Sequence, residues 1–448
     1  MVRLERAFFY FLLFCLPFQT RLILREWGGE FNEWNSAFLY LTDLLILAIL
    51  FFWIYREKLN LTKIVESRKN IILILFFLIA AISLIKAENL GIAFYQLWKL
   101  AEFVLLFFYL KTSFKKLFKL ESVCLILIAS ALFQSFCAVS QFSFQSSLGL
   151  KFLGESPLSP NIEGPAKIVV SGVKMIRAYG TFPHPNVLAA FLLFAIFCFY
   201  FFYLKIKEPS FGLKLVFCSL FVFLVFGLFL TFSRTIIILF YIFSIAFLLY
   251  KFFRKSLYGS YHKGTAMLCA ALLLASFCCG LPMFPELRSR FVVDAVDPGI
   301  NLRYFYNFIS ISMIKESPIL GIGVGNFVWR LNDFQGVLRA ANLIYKLDVP
   351  ETKVIPYRAP SWLFQPAHNI FLLIAAEVGV AGLLFFLVFL ISLVWPLIKI
   401  LKEGDLSIVF HLLFFAFLAV FLLDHFFWTL QQGRLMFWIL CGILASRG

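Results

Sequence analysis

Charge is scarce in this sequence, and negative charge scarcest: 24 Asp and Glu stand against 40 Lys and Arg, and together they make up 14% of the 448 residues. A soluble globular domain carries about a quarter of its residues charged, so that class is excluded. The nine cysteines fall within or at the ends of apolar runs, and none has metal-ligand spacing with a histidine. They read as small core residues, which excludes a disulfide framework or a zinc module. Histidine is limited to positions 184, 262, 368, 411 and 425. No glycine-rich loop follows a strand to cradle a nucleotide, and the nearest approach, Gly321–Gly325, reads as a turn whose glycines permit close packing.

What fills the chain is apolar: 62% of residues are hydrophobic, 61 of them Phe, in continuous runs such as "IILILFFLIAAISLI". Such runs suit transmembrane helices, not the short alternating segments of a β-barrel. The predicted fold is all-α and polytopic, a single integral membrane domain over 1–448 with about twelve spans. These are placed at 7–24, 36–55, 71–87, 91–110, 121–140, 186–204, 215–232, 235–250, 264–283, 369–395, 407–426 and 432–446. Arg3 and Arg6 precede the first run with no small-residue cleavage site, so an uncleaved first helix is expected.

The net charge of +16 suggests nucleic acid only until the basic residues are placed. They cluster in short alternate loops, "REKLNLTKIVESRK", "KTSFKKLFK", "KIKEPSFGLK" and "KFFRKSLYGSYHK", so no nucleic-acid partner is expected. By the positive-inside rule those loops and both termini are cytoplasmic. The opposite side then carries a first insertion at 141–185, a large partly helical loop at 284–367 between spans nine and ten, and tight turns around Arg234 and Asp424. Leu302, Phe305, Ile309 and Met313 recur at helical spacing, which predicts a helix lying on the membrane surface.

Arg177, His184, Arg234, Arg303, His368 and Asp424, far apart in sequence, are thereby brought to one outer face. No ATP or nucleotide sugar is available there, so a transferase would need a donor that carries its own activation, such as a lipid-linked pyrophosphate. Arginine holds pyrophosphate best, through a planar fork that keeps its proton. Arg177, Arg234 and Arg303 are the candidates, each weighed against a role as interfacial anchor or structural ion pair. Arg288 and Arg290 read as solvated loop residues. His368, opening a span, is a candidate base weighed against a helix cap; His184, between two prolines, could simply fix the start of its helix. A metal site from His184, His368, Asp424 and His425 is disfavoured because no pair has the spacing of ligands on one helix face. Glu377 lies out of phase with His368 and, as an intramembrane acid, should have a buried partner. Lys99 and Glu102, three apart, should satisfy each other.

Four blocks, "RAYGTFPHPNVLAAF", "TFSRT", "NLRYFYNFISISMIKESPILGIGVGNF" and "PAHNIFLLIAAEVGVAG", occur over about 177–382 in the order and spacing of the O-antigen ligase family, which includes related polysaccharide polymerases. The resemblance implies a metal-independent, inverting glycosyltransferase without cofactors. It would move a glycan from undecaprenyl pyrophosphate to a hydroxyl on lipid A–core, or a similar glycan acceptor, at the periplasmic face of a bacterial inner membrane. It also implies His368 as the base and Arg234 and Arg303 on the pyrophosphate, with Arg177, which matches the arginine before the "GTF" block, as a third pyrophosphate candidate. The resemblance assigns no role to His184, which stands with Asn186, Asn369 and Glu377 as a possible supporting residue. The same donor would serve a polymerase, which differs only in its acceptor. A lipid or glycan transporter is the rival from another class, and it would spread charge through the membrane depth and show inverted repeats.

Overall fold

The computed structural model of the chain describes residues 1–29, 31–57, 68–206, 208–258, 263–281, 283–291, 298–334, 363–403 and 405–447. Its helices are α1 (Val2–Cys15), α2 (Leu41–Glu57), α3 (Arg68–Ser83), α4 (Leu90–Leu117), α5 (Leu120–Phe144), α6 (Pro185–Lys205), α7 (Phe211–Leu230), α8 (Arg234–Tyr258), α9 (Lys263–Gly280), α10 (Phe284–Phe291), α11 (Pro298–Glu316), α12 (Phe327–Arg330), α13 (Ile370–Val394), α14 (Leu397–Glu403), α15 (Ile408–Phe421), α16 (Phe426–Thr429) and α17 (Gln431–Arg447). Each of the twelve expected spans overlaps one of them, several only in part. Six of the described helices, α4 to α8 and α13, are individually long and apolar enough to cross a membrane, or seven spans if the sharply bent α9–α10 pair counts as one.

The expected spans that fall short do so for visible reasons. The first, 7–24, ends as a helix at Cys15, and the chain then enters strand β1 (Arg21–Glu26). The second, 36–55, begins as strand β2 (Ser36–Tyr40), antiparallel to β1. Another short hairpin, β3 (Lys167–Val170) with β4 (Val173–Ile176), lies in the first insertion. Its turn residues Ser171 and Gly172 both have positive φ, at 51° and 82°, the backbone that a two-residue hairpin loop requires. Among the described residues, these hairpins are the departures from an all-helical reading.

Helix α6 is buried on every face from Val187 to Phe201, as expected of a helix that is apolar all round. It packs against α5, α7, α8 and α15, while α17 packs along α4 and α13 along α3. Gly442 lies directly on Leu110, and Gly227 on Ser135, so that α17 approaches α4, and α7 approaches α5, more closely than a larger residue would permit.

Two glutamates and their partners mark the two ends of the bundle. Glu5 of α1 pairs with Arg56 of α2, which also donates to Ser113 near the end of α4. Because α17 runs alongside α4 with its C-terminus toward the same end, both chain termini share that end. At the other end, Glu377 of α13 accepts a hydrogen bond from Trp428 Nε1 at 3.1 Å, the buried partner that its position demanded. Lys99 likewise meets Glu102, at 3.4 Å, together with Asp43.

Helix α11 buries Tyr306, Ile309 and Met313 and packs on α13, while Tyr304, Phe308 and Ile311 on its other side are exposed. The Gly321–Gly325 turn docks by backbone onto a break in α13: Ile322 N donates to Ala376 O, Gly323 N to Glu377 O and Val380 N to Pro318 O. Gly379, at φ 81°, makes that break, and a Cβ there would lie 1.9 Å from Ile319 O.

Candidate functional site

At the end of the bundle opposite the termini, a cavity of about 730 Å³ gathers residues from almost every part of the chain. Arg177, Arg234, Arg303, His184, Asn186 and His368 all line it, as do Asp424 and His425. Six basic side chains (Arg21, Lys167, Arg177, Arg234, Arg290 and Arg303) face two acidic ones, Glu33 and Asp424. The cavity therefore carries a positive balance suited to an anionic ligand. Arg290, expected to be solvated, is in the wall because α10 packs on the β3 strand and turns its last turn inward.

The wall from 177 to 186 is held by glutamines on α5. Gln141 Oε1 accepts from the backbone N–H groups of Tyr179 and Gly180 at 3.0 and 2.8 Å, and Gln134 Oε1 accepts from Thr181 N at 2.9 Å. Residues seven apart on a helix share a face, so one side of α5 fixes the loop. The buried Arg177 then spans two elements: its Nε donates to Thr231 O at 2.7 Å, ahead of α8, and Nη2 donates to Asn186 Oδ1 at 2.8 Å. Asn186 passes the contact on, donating through Nδ2 to Asp424 Oδ2 at 2.8 Å. The other carboxylate oxygen accepts from His425 N, also at 2.8 Å.

His368 is set by the residue that follows it. Asn369 caps α13, its side chain accepting from Phe371 N and Leu372 N at 3.0 and 3.1 Å, so Asn369 anchors the helix start that carries His368. The His368 ring stacks on Tyr306 at 5.9 Å and meets His425 edge-on at 4.9 Å. Its Nδ1 is buried and has no hydrogen-bond partner among the described residues. A buried polar atom without a partner is costly, and the residue itself lines the cavity.

Asp424 and His425 lie just past the end of α15, outside the helical spans. Burial alone would raise the Asp424 carboxyl, but His425, His368, His184 and the Asn186 hydrogen bond outweigh it and hold its pKa at about 2. Burial lowers His425 and His184 to about 3, aided by His368 and by Arg177 respectively. Burial also lowers His368, against the pull of Asp424. Burial and the neighbouring Arg290 bring Arg177 down to about 9. At neutral pH the cluster thus holds one carboxylate, neutral histidines and a charged Arg177.

One ring nitrogen each from His368 and His425 and a carboxylate oxygen of Asp424 all lie within 4.8 Å of one another, so these three could hold a metal ion. The expectation that no such grouping would form overlooked loops: the ligands come from the start of α13 and the α15–α16 turn, not from one helix face. Glu377 is apart from the cavity. It borders a separate enclosed space of about 30 Å³ with Gln96, Trp428 and Arg434. Sequence reasoning passed over Gln134, Gln141 and Thr429, whose hydroxyl lies 2.7 Å from His425 Nδ1. Polar residues embedded in apolar runs were the available signal.

Residues 219–387 match the family model described as O-antigen ligase. The matched stretch contains Arg234, Arg303 and His368 and leaves Arg177, His184, Asn186 and Asp424 outside. No curated protein matches the chain.

Proposed function

Because residues 219–387 match the O-antigen ligase family model, we propose that this protein is a glycosyltransferase that moves a glycan from undecaprenyl pyrophosphate to a hydroxyl of lipid A–core at the periplasmic face of the bacterial inner membrane. The observation that carries the reading is the meeting of His368 with Arg177, Arg234 and Arg303 in the wall of one cavity.

His368 takes the proton as the acceptor hydroxyl attacks the anomeric carbon, opposite the leaving group. The bond from that carbon to the pyrophosphate oxygen breaks with its electron pair on the oxygen, and the configuration inverts. A histidine that is neutral at pH 7 can accept the proton. Arg234, Arg303 and Arg177 stabilise the departing charge, a preorganised electrostatic role. That set of cations makes a metal unnecessary for the leaving group, and both Asp424 oxygens already accept hydrogen bonds.

Two measurements test this reading. A strain lacking the protein should accumulate long glycan on undecaprenyl pyrophosphate; lipopolysaccharide capped by a single repeat would instead indicate a polymerase. Purified enzyme should keep its activity in EDTA. Loss on chelation with recovery on Zn²⁺, Mg²⁺ or Mn²⁺ would put an ion on His368, Asp424 and His425.

A further inference from the structure

The cavity holds a second histidine whose chemistry differs from that of His368. His184 precedes α6 with extended backbone, φ −155° and ψ 146°, and caps the helix: its Nδ1 accepts from Asn186 N at 3.2 Å. A backbone N–H can only donate, so Nδ1 must present its lone pair. In the neutral ring the proton is then on Nε2. The ring is half-buried in the cavity wall, edge-on to Tyr179 at 6.1 Å, and no described residue bonds to Nε2. Its only in-plane lone pair is committed to the helix, so it cannot act as a base.

We propose that His184 is a substrate-binding residue: a neutral donor, fixed in one tautomer by the helix it caps, whose Nε2–H bonds to a pyrophosphate oxygen of the lipid-linked donor. This rests on the pyrophosphate reading above and deepens it. The ligand class follows from the surroundings: the charges that act on His184 are Arg177, Asp424 and Arg303, with His368 close by. Six basic side chains against two acidic ones give the cavity a surplus of positive charge. A neutral donor among cations adds a directed hydrogen bond to an anionic oxygen without adding further mutual repulsion. It also stays neutral, with its Nδ1 lone pair left to the cap, across the working pH range, because burial keeps the ring from taking a second proton until about pH 3.

A cap and a ligand contact can be separated by substitution. Asparagine is among the best capping residues, so His184→Asn retains an acceptor for Asn186 N but loses the outward N–H. The full-length protein in detergent, probed with undecaprenyl pyrophosphate itself, should unfold at nearly the wild-type temperature yet bind about ten- to a hundredfold more weakly, the range for one hydrogen bond to a charged group. The KM for the donor should rise, with the acceptor KM and the pH profile unchanged.

Histidine ¹⁵N spectra of the wild type give an independent reading. The His184 signals, identified by their loss in the variant or, if that variant does not fold, in His184→Ser, should show a proton on Nε2 alone and should move on adding undecaprenyl pyrophosphate. Wild-type binding in His184→Asn, or a His184 signal that ignores the lipid, would reduce the residue to a cap. A rise confined to the acceptor KM would place the contact on the acceptor glycan and overturn the assignment. If instead His368→Ala left transfer intact, the pyrophosphate-transferase reading itself would fail, whatever His184 did.

Discussion

Among the individual residues, two histidines bear on the acid response of this protein. His184 and His425 have pKa values lowered from 6.5 to about 3 in the folded chain. The unfolded state therefore binds protons that the folded state does not, and stability rises with pH between about 3 and 6.5. Above that window the contribution is complete; as pH falls through it, each group removes up to about 1.4 kcal/mol per pH unit. Asp424, held at about 2, acts in the same sense but only below about pH 4. Thermal unfolding of the detergent-solubilised protein should therefore weaken markedly from pH 7 to pH 5, and His425→Gln should flatten that slope. An equal slope in the variant would mean that His425 is charged, or solvated, in the fold. At this scale the sequence was informative about identity and poor about partnership. Arg177, His184 and His368 stood out as costly groups among apolar ones, but nothing local in "RAYGTFPHPN" reveals that Asn186 joins Arg177 to Asp424 across more than 200 residues.

Helices were easier to read than the breaks within and between them. Runs such as Pro185–Lys205 announce themselves by length and apolarity, whereas the hairpin at Lys167–Ile176 rests on only four residues per strand and a Ser-Gly turn. The kink in α13 is similar: "AAEVGVAG" has a helical composition, and only the approach of the 318–323 turn demands Gly379. That position makes a sharp prediction. Gly379→Ala forces a side chain into a backbone conformation reserved for glycine and places its Cβ against Ile319 O. The loss of stability should be at least about 3 kcal/mol, from backbone strain and steric overlap together. Yield and unfolding temperature should fall while the rare folded molecules keep their affinity for the donor, since the site itself lies a helix turn or more away. A variant as stable as the wild type would mean that the turn does not dock there.

For the molecule as a whole, the alternation of basic loops and the position of the cavity give one testable topology. Glu5, Arg56 and Lys116 share the end that holds both termini, while Arg177, Arg303 and His368 share the other. Cysteine placed at the exposed Glu163, near the cavity rim, should react with an impermeant thiol reagent in intact spheroplasts, and cysteine at Lys116 only after lysis, in a background without accessible native cysteines such as Cys278. The reverse pattern would invert the molecule and remove the argument from donor availability. The central claim is that one cavity divides its work between arginines that hold a pyrophosphate and a histidine that takes the acceptor's proton. It is tested most directly by measuring undecaprenyl pyrophosphate binding and glycan transfer side by side in purified His368→Ala and Arg303→Lys. His368→Ala should bind the lipid as the wild type does and lose transfer by about a hundred- to ten-thousandfold, while Arg303→Lys, keeping charge but losing the fork, should weaken binding. Near-wild-type transfer by His368→Ala would contradict the account.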